Sequence, residues 1–297
     1  MTADTSGHVV TAPPAATTIP ATTASASATA RQEAFLKAFH AERPAVTAEA
    51  FGGARTVDGR SGYEILCDRV SGRRRVLDLG CGDGLLLDLL ARTPGRRLAG
   101  VDLSPQSLSL ARRRPALSAT ALVEARSQQL PFAEGCFDAC VSHLALMLMA
   151  DVERVIAELA RVLAPGGLLA CVIGAGGGGT GYELLGELLP PALARTPADR
   201  RMPALGDRRT RDPESLGELL TTAGFHEPER ETVTLDLTAP PEQVWAALSG
   251  LYDFAAFDRD ALNVVRGTFL ARAAGRVTPD ERLSCHFRAH VVTAARR

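Results

Sequence analysis

Val76-Leu77-Asp78-Leu79-Gly80-Cys81-Gly82-Asp83-Gly84 is an apolar run that ends in glycines at alternate positions. It reads as a buried strand entering a tight loop. Glycine lets a backbone turn sharply and approach a ligand closely, and in parallel α/β sheets ligands lie at the carboxyl ends of strands. The dinucleotide pattern G-x-G-x-x-G would need glycine where Leu85 stands, and no G-K-[ST] follows for a nucleoside triphosphate. The loop carries acids instead. Asp78 and Asp83 repel pyrophosphate and suit a ligand with a cationic amine or sulfonium. A further acid, Asp102, closes the next strand 22 residues after Gly80, a distance that lets a carboxylate accept from ribose hydroxyls.

Outward from that loop, strand and helix patterns alternate. Leu85 to Ala91 reads as a helix and Leu98 to Leu103 as a second strand. Ser104-Pro105 follows, an N-cap with proline at the first helical position. That helix ends in Arg112, Arg113 and Arg114, which suit the negative end of its dipole and are expected to be solvated. Leu122 to Ala125 and Phe137 to Ser142 are the third and fourth strands. Asp151 can cap a helix whose Val152, Val155, Ile156, Leu159 and Leu163 recur at helical spacing. Pro165-Gly166-Gly167 stops it, and Leu168 to Ile173 is a fifth strand. Such alternation predicts a doubly wound α/β fold with a parallel sheet covered on both faces.

Elsewhere the rhythm differs. Residues 1–30 are mostly Ala, Thr, Ser and Pro with one charged side chain, Asp4, and are expected to form a disordered tail. Residues 31–62 read as a cap segment that opens with a short amphipathic helix, Arg31 to His40. The main domain is expected over 63–297, with helical cap insertions at about 174–211 and 238–275. Six glycines in Gly174 to Gly181 suggest a hinge or linker. Asp212-Pro213 starts another helix that Gly224 ends, residues 230–237 alternate as a strand, and Leu283 to Ala294 forms the last one.

Composition excludes several classes. The 297 residues are 46% hydrophobic and 23% charged, ample for a buried core. With 33 basic and 34 acidic side chains the formal charge is −1, so no global field favours nucleic acid or an anionic membrane. Lys37 is the only lysine; the arginine excess has no counterpart in folding physics. Cys67, Cys81, Cys136, Cys140, Cys171 and Cys285 form no C-x-x-C pair and read as buried free thiols. His286 and His290 share a strand face without a third ligand, so no metal is expected. No apolar stretch approaches the roughly 18 residues of a membrane span, and the start lacks a basic region followed by an apolar core. A cytoplasmic protein is expected.

With these residues in view, the chain resembles the class I S-adenosylmethionine-dependent methyltransferases. The resemblance lies in DLGCGDG, VDLS (Val101 to Ser104), LPF-x-x-G-x-FD (Leu130 to Asp138) and ELARVLAPGG (Glu158 to Gly167), in that order, over about residues 63–173. It implies a Rossmann-like, seven-stranded, mostly parallel sheet with helical cap elements, and S-adenosylmethionine as cofactor, left as S-adenosylhomocysteine. It also implies that Gly80, Cys81 and Gly82 hold the methionine part, that Asp102 holds ribose, and that Leu103 packs on adenine, with Asp78 also in the cofactor set. Family members often place an acid where Arg126 stands here, so Ser127 or Gln128 is expected to supply the adenine contact. Ser142 completes the cofactor set.

The segment Ser142-His143-Leu144-Ala145-Leu146-Met147 bears on the acceptor. It lacks the N/D-P-P-Y sequence typical of enzymes acting on exocyclic amines of nucleobases or glutamine. A small-molecule acceptor follows, with no nucleic-acid or membrane partner and the oligomeric state open. His143 is either a general base near the acceptor or a satisfied strand-end histidine. Tyr63 either closes over the methionine end or packs in the core. Met147, Tyr252, Asp253 and Phe254 are candidates to line the acceptor pocket. The overall resemblance is to actinobacterial enzymes that methylate natural products, with a lean to C-methylation of an electron-rich aromatic such as indole at C3. O- or N-methylation of another secondary metabolite, and a fold relative that binds the cofactor without transferring methyl, are the alternatives.

Overall fold

The computed structural model describes the backbone of residues 21–297 and the side chains from residue 28. The strands are β1 (Arg75–Leu79), β2 (Arg97–Asp102), β3 (Ala121–Glu124), β4 (Phe137–His143), β5 (Leu163–Gly178), β6 (Glu229–Asp236) and β7 (His286–Ala295). They form one seven-stranded sheet in the order β3-β2-β1-β4-β5-β7-β6. β7 is antiparallel to both of its neighbours, β5 and β6, and the remaining pairs are parallel. Residues 1–20 of the expected tail lie outside the described residues.

Side chains alternate across β1, and each face feeds a separate core. Val76 packs with Ile65 and Leu66 of α3 (Gly62–Arg69) and with Leu86 and Leu90 of α4 (Leu85–Ala91). Leu77 and Leu79 pack on the other face with Ile156 and Leu159 of α6 (Val152–Val162) and with Leu216 and Leu220 of α8 (Pro213–Thr222). Next to α4, Leu108 and Ala111 of α5 (Pro105–Ala111) close over Cys81 and Leu87. Helix α6 carries its buried residues at 152, 155, 156, 159 and 162, one stripe of an amphipathic helix. Its Glu158 accepts from the Leu130 amide at 2.7 Å, and Arg161 donates to the Phe132 carbonyl at 2.7 Å. One helical turn thus fixes the loop before β4.

A cap builds its own core from α7 (Gly179–Ala194), α9 (Pro241–Leu248) and α10 (Arg259–Ala273), with Leu184, Val244, Trp245, Phe254 and Phe269 buried together. The N-terminal part supplies α1 (Ala21–Glu42) and α2 (Val46–Phe51). Here the structure corrects the sequence reading: residues 21–30 are the first part of α1. The segment is alanine-rich, which favours helix, and Thr29 and Gln32 are buried where it docks.

The glycine run is also corrected. Gly174 to Gly178 continue β5, with Gly177 opposite Phe287 and Gly178 opposite His286. A Cβ on Gly174 would lie 2.9 Å from the Phe287 ring, and one on Gly177 would collide with the Tyr182 ring. Glycine is there to admit rings from neighbouring elements. Among the described residues no helix is long and apolar enough to cross a membrane.

Leu159 is fully buried between α6 and the sheet. Leu159→Ala should lower the unfolding free energy by about 2–5 kcal/mol, read as a reduced urea midpoint with an unchanged slope.

Candidate active site

The loop after β1 is stitched to the end of β2 by backbone bonds and by one carboxylate. The amides of Gly80 and Cys81 both donate to the Val101 carbonyl, at 2.8 and 3.0 Å. Gly80 has φ +75°, and a Cβ there would collide with Ala145. The Asp102 carboxylate accepts from the amide of Gly82 at 2.8 Å and from that of Ser104 at 2.8 Å. Burial pushes its pKa up, while those amides and nearby His40 pull it back. Both oxygens keep a lone pair for a ligand hydroxyl.

Three adjoining cavities open at this end of the sheet. The first, about 660 Å³ including its mouth, is lined by Asp102, Leu103, Arg126, Ser127 and Gln128, and by Gln32, Glu33, Leu36, Lys37 and His40 of α1. The second, about 570 Å³, is lined by Asp78, the Gly80–Asp83 loop, Tyr63, His143, His40 and Tyr252. The third, about 780 Å³, has the apolar wall Phe51, Met147, Met202, Leu205, Leu251 and Phe287. His40, Gly80 and Asp102 border the first two. Thr47, Leu144 and Tyr252 border the second and third. Leu148 touches all three.

The structure therefore brings together Asp78, Gly80, Cys81, Gly82, Asp102, Leu103, Ser127, Gln128, Tyr63, His143, Met147 and Tyr252 around these three adjoining cavities. It does not bring Ser142 or Phe254 there. Ser142 is buried beneath the loop, donating to the Leu79 carbonyl at 2.9 Å and accepting from the Leu146 amide at 3.2 Å. Phe254 packs on Trp245 in the cap core, ring centroids 5.4 Å apart. Asp83 departs from its expected role too. Arg114 pairs with its carboxylate and donates to its carbonyl at 2.7 Å, so Asp83 already has a partner and Arg114 is not a solvated helix end.

His143 lies in the second cavity, away from the third. Its ring stacks on Tyr63, centroids 3.7 Å apart at 21°, and neither ring nitrogen has a protein partner. Burial pushes its pKa down to about 3, so the ring stays neutral and binds protons weakly at physiological pH. Residues missed by the sequence reading lie on α1. Glu33, Leu36, Lys37 and His40 recur at helical spacing and face the first cavity. Gln32 ties the helix down by donating to the Leu148 carbonyl at 2.6 Å and accepting from the Gly206 amide at 3.0 Å. Glu33 pairs with Arg126 at 2.7 Å. His40 Nε2 is 3.0 Å from the Tyr252 hydroxyl.

Residues 77–171 match the model of a family described as "Methyltransferase domain". This stretch resembles a methyltransferase domain. Demethylmenaquinone methyltransferase of Thermus thermophilus is 41% identical over 99 residues, 32% of this chain and 45% of that protein. A malonyl-[acyl-carrier protein] O-methyltransferase of Halorhodospira halophila is 34% identical over 181 residues, 60% of this chain and 57% of that protein. The chain thus spans roughly half the length of these curated relatives. The solved YcgJ protein of Bacillus subtilis shares the fold, with TM-score 0.52 and 15% identity over 79% of this chain and 97% of that one.

S-adenosylmethionine is the cofactor that a domain of this kind implies, and the residues present fit it. Asp78 Oδ2 is buried without a hydrogen-bond partner. Burial, Asp102 and Asp83 hold its pKa well above the usual carboxylate range. An α-amino group would supply the missing partner, Asp102 would hold the ribose hydroxyls, and Leu103, Ser127 and Gln128 line the space left for adenine. A folded-state pKa raised above the unfolded value lends stability in acid that is lost as pH rises through it. Asp78→Asn should therefore raise the melting temperature of the ligand-free protein at pH 7–8, where the wild type bears the cost of ionisation. The same variant should weaken S-adenosylmethionine binding by about 10- to 100-fold, the worth of one charge-assisted hydrogen bond. Thermal melts with and without cofactor, with calorimetry, read both effects.

Proposed function

We propose that this chain transfers the methyl group of S-adenosylmethionine to a largely apolar small-molecule acceptor bound in the third cavity. The observation that carries this reading is the shared border: Tyr252, Leu144, Thr47 and Leu148 line both the space beside Asp78 and the apolar chamber. Bound S-adenosylmethionine supplies an electrophilic methyl with its leaving group already attached. The protein's own part is to align the acceptor and exclude water, which lowers the barrier without covalent catalysis. Phe51 and Phe287, with ring centroids 4.7 Å apart and planes tilted by 48°, give the chamber an aromatic corner against which a ring can pack. This supports the lean to C-methylation of an electron-rich aromatic, such as indole at C3, within secondary-metabolite biosynthesis.

Where the acceptor must lose a proton, the pair Tyr252–His40 replaces His143 as the base. Tyr252 borders the acceptor chamber, so its hydroxyl oxygen receives the acceptor's proton while its own proton passes to His40 Nε2. Burial lowers the His40 pKa against the pull of Asp102, which leaves the imidazole neutral and able to accept. That pair favours O- or N-methylation as the second reading. A near-zero net charge argues against a nucleic-acid acceptor.

Incubation with S-adenosylmethionine and a panel of tryptamine, phenol and amine acceptors should yield S-adenosylhomocysteine and a product one methyl heavier, with the position fixed by NMR. No S-adenosylhomocysteine from any acceptor would favour a cofactor-binding relative with different chemistry. With a phenol or amine acceptor, Tyr252→Phe should cut kcat by about 100-fold or more with cofactor affinity retained. Because His40 is neutral above its lowered pKa, kcat/KM should be flat at pH values above about 6.5 and fall in acid. His40→Gln should abolish that acid limb.

A further inference from the structure

The acceptor chamber is apolar along most of its wall, and two charged side chains interrupt it: Arg211 and Asp253. Arg211 is exposed to solvent and donates from Nη2 to the Leu205 carbonyl at 3.1 Å. Asp253 is in a different position. It belongs to the tight turn Tyr252–Ala256, whose Phe254 is rooted in the cap core. Its carboxyl is half-buried, and among the described residues no other side chain or amide donates to it; Arg211 acts on it only at a distance. Burial holds its pKa above the usual carboxylate range.

An unpaired carboxylate facing an apolar chamber is costly unless the occupant brings a cation. We propose that the acceptor carries an ammonium group which the Asp253 carboxylate holds, so that the substrate class is amines built on an apolar, ring-sized body. This rests on reading the chamber as the acceptor site. A carboxylate-bearing acceptor would face repulsion from Asp253, and the guanidinium that could offset it is already bonded to Leu205 and screened by water. Among the described residues no group of three His, Cys, Asp or Glu is placed to hold a metal there. Asp253 and Tyr252 are consecutive and line the same chamber. Anchoring the amine at Asp253 therefore fixes the acceptor beside the hydroxyl at the border with the cofactor space.

The test is calorimetry on the full chain saturated with S-adenosylhomocysteine, using three probes of one shape: tryptamine, 3-ethylindole and indole-3-propionate. Tryptamine should bind about tenfold or more tighter than the other two. Asp253→Asn should bring tryptamine to within about twofold of 3-ethylindole, and Asp253→Glu should keep the preference. S-adenosylhomocysteine affinity and melting temperature serve as controls for folding in each variant. Equal binding of the three probes, no binding of any, or a preference that survives Asp253→Asn would overturn the proposal. So would tighter binding of indole-3-propionate that is lost in Arg211→Gln, which assigns the chamber to an anion. Failure of S-adenosylhomocysteine itself to bind would strike the cofactor reading instead, and absence of turnover with intact amine preference would strike only the reaction.

Discussion

Two loops at the carboxyl end of the sheet are held together by one side chain. Asp102 takes the Gly82 amide on one oxygen and the Ser104 amide on the other, each at 2.8 Å. The first amide belongs to the glycine loop after β1, and the second to Ser104, whose side chain caps α5. Burying that carboxylate costs free energy, which the two charge-assisted bonds offset. The loop can then approach the sheet closely only because Gly80 has no side chain to meet Ala145. Asp78, at the end of β1, Leu103 after β2, and the Tyr63–His143 stack all take their places around this junction. Every lining residue of the cofactor space is thus referred to a clamp made of one carboxylate and two amides.

Features fixed by local spacing were legible from the chain. Alternate glycines after an apolar run, an acid 22 residues on, and the 152–155–156–159 stripe each follow from the geometry of one strand or one helix. Features that depend on distant partners were not. Tyr252 and Phe254 looked equivalent, yet they sit two apart on a turn with three residues per revolution. One side chain therefore faces the chamber while the other enters the cap core. The contact that gives His40 its role joins residues 212 positions apart. Arg114 looked like a dipole-complementing helix end until Asp83, 31 positions earlier, reached it. Composition misled at residues 21–30 and in the glycine run, because alanine supports a docked helix and glycine admits facing rings.

Asp78 and His143 share a physical peculiarity. Each is buried with side-chain atoms that find no protein partner, and burial moves each pKa toward its neutral form. A structure selected for stability alone would replace both with well-packed apolar groups. For Asp78 the unmet valence has a clear meaning, since a cationic group in the adjoining space restores the lost hydrogen bond. For His143 the stack on Tyr63 and the close fit against Gly62, where a Cβ would lie 2.7 Å from Nε2, describe a ring used for its shape. It lines the second cavity and not the acceptor chamber.

Proton removal, where the acceptor needs it, then falls to groups brought in from outside the sheet. Helix α1 covers the cofactor space with Gln32, Glu33, Leu36 and Lys37, and the same helix presents His40 to Tyr252. Phe39, one residue before His40, packs its ring 4.6 Å from that of Tyr252, which fixes the phenol beside the imidazole. In the proposed reaction, the helix that covers the cofactor space would also complete the pair that accepts the proton. Neither half works alone: Tyr252 lies on the late insert between α9 and α10, and its burial raises its pKa beyond use as a free phenolate. A neutral phenol backed by a neutral imidazole is competent only with both elements in place, which couples chemistry to the ordering of the N-terminal cap.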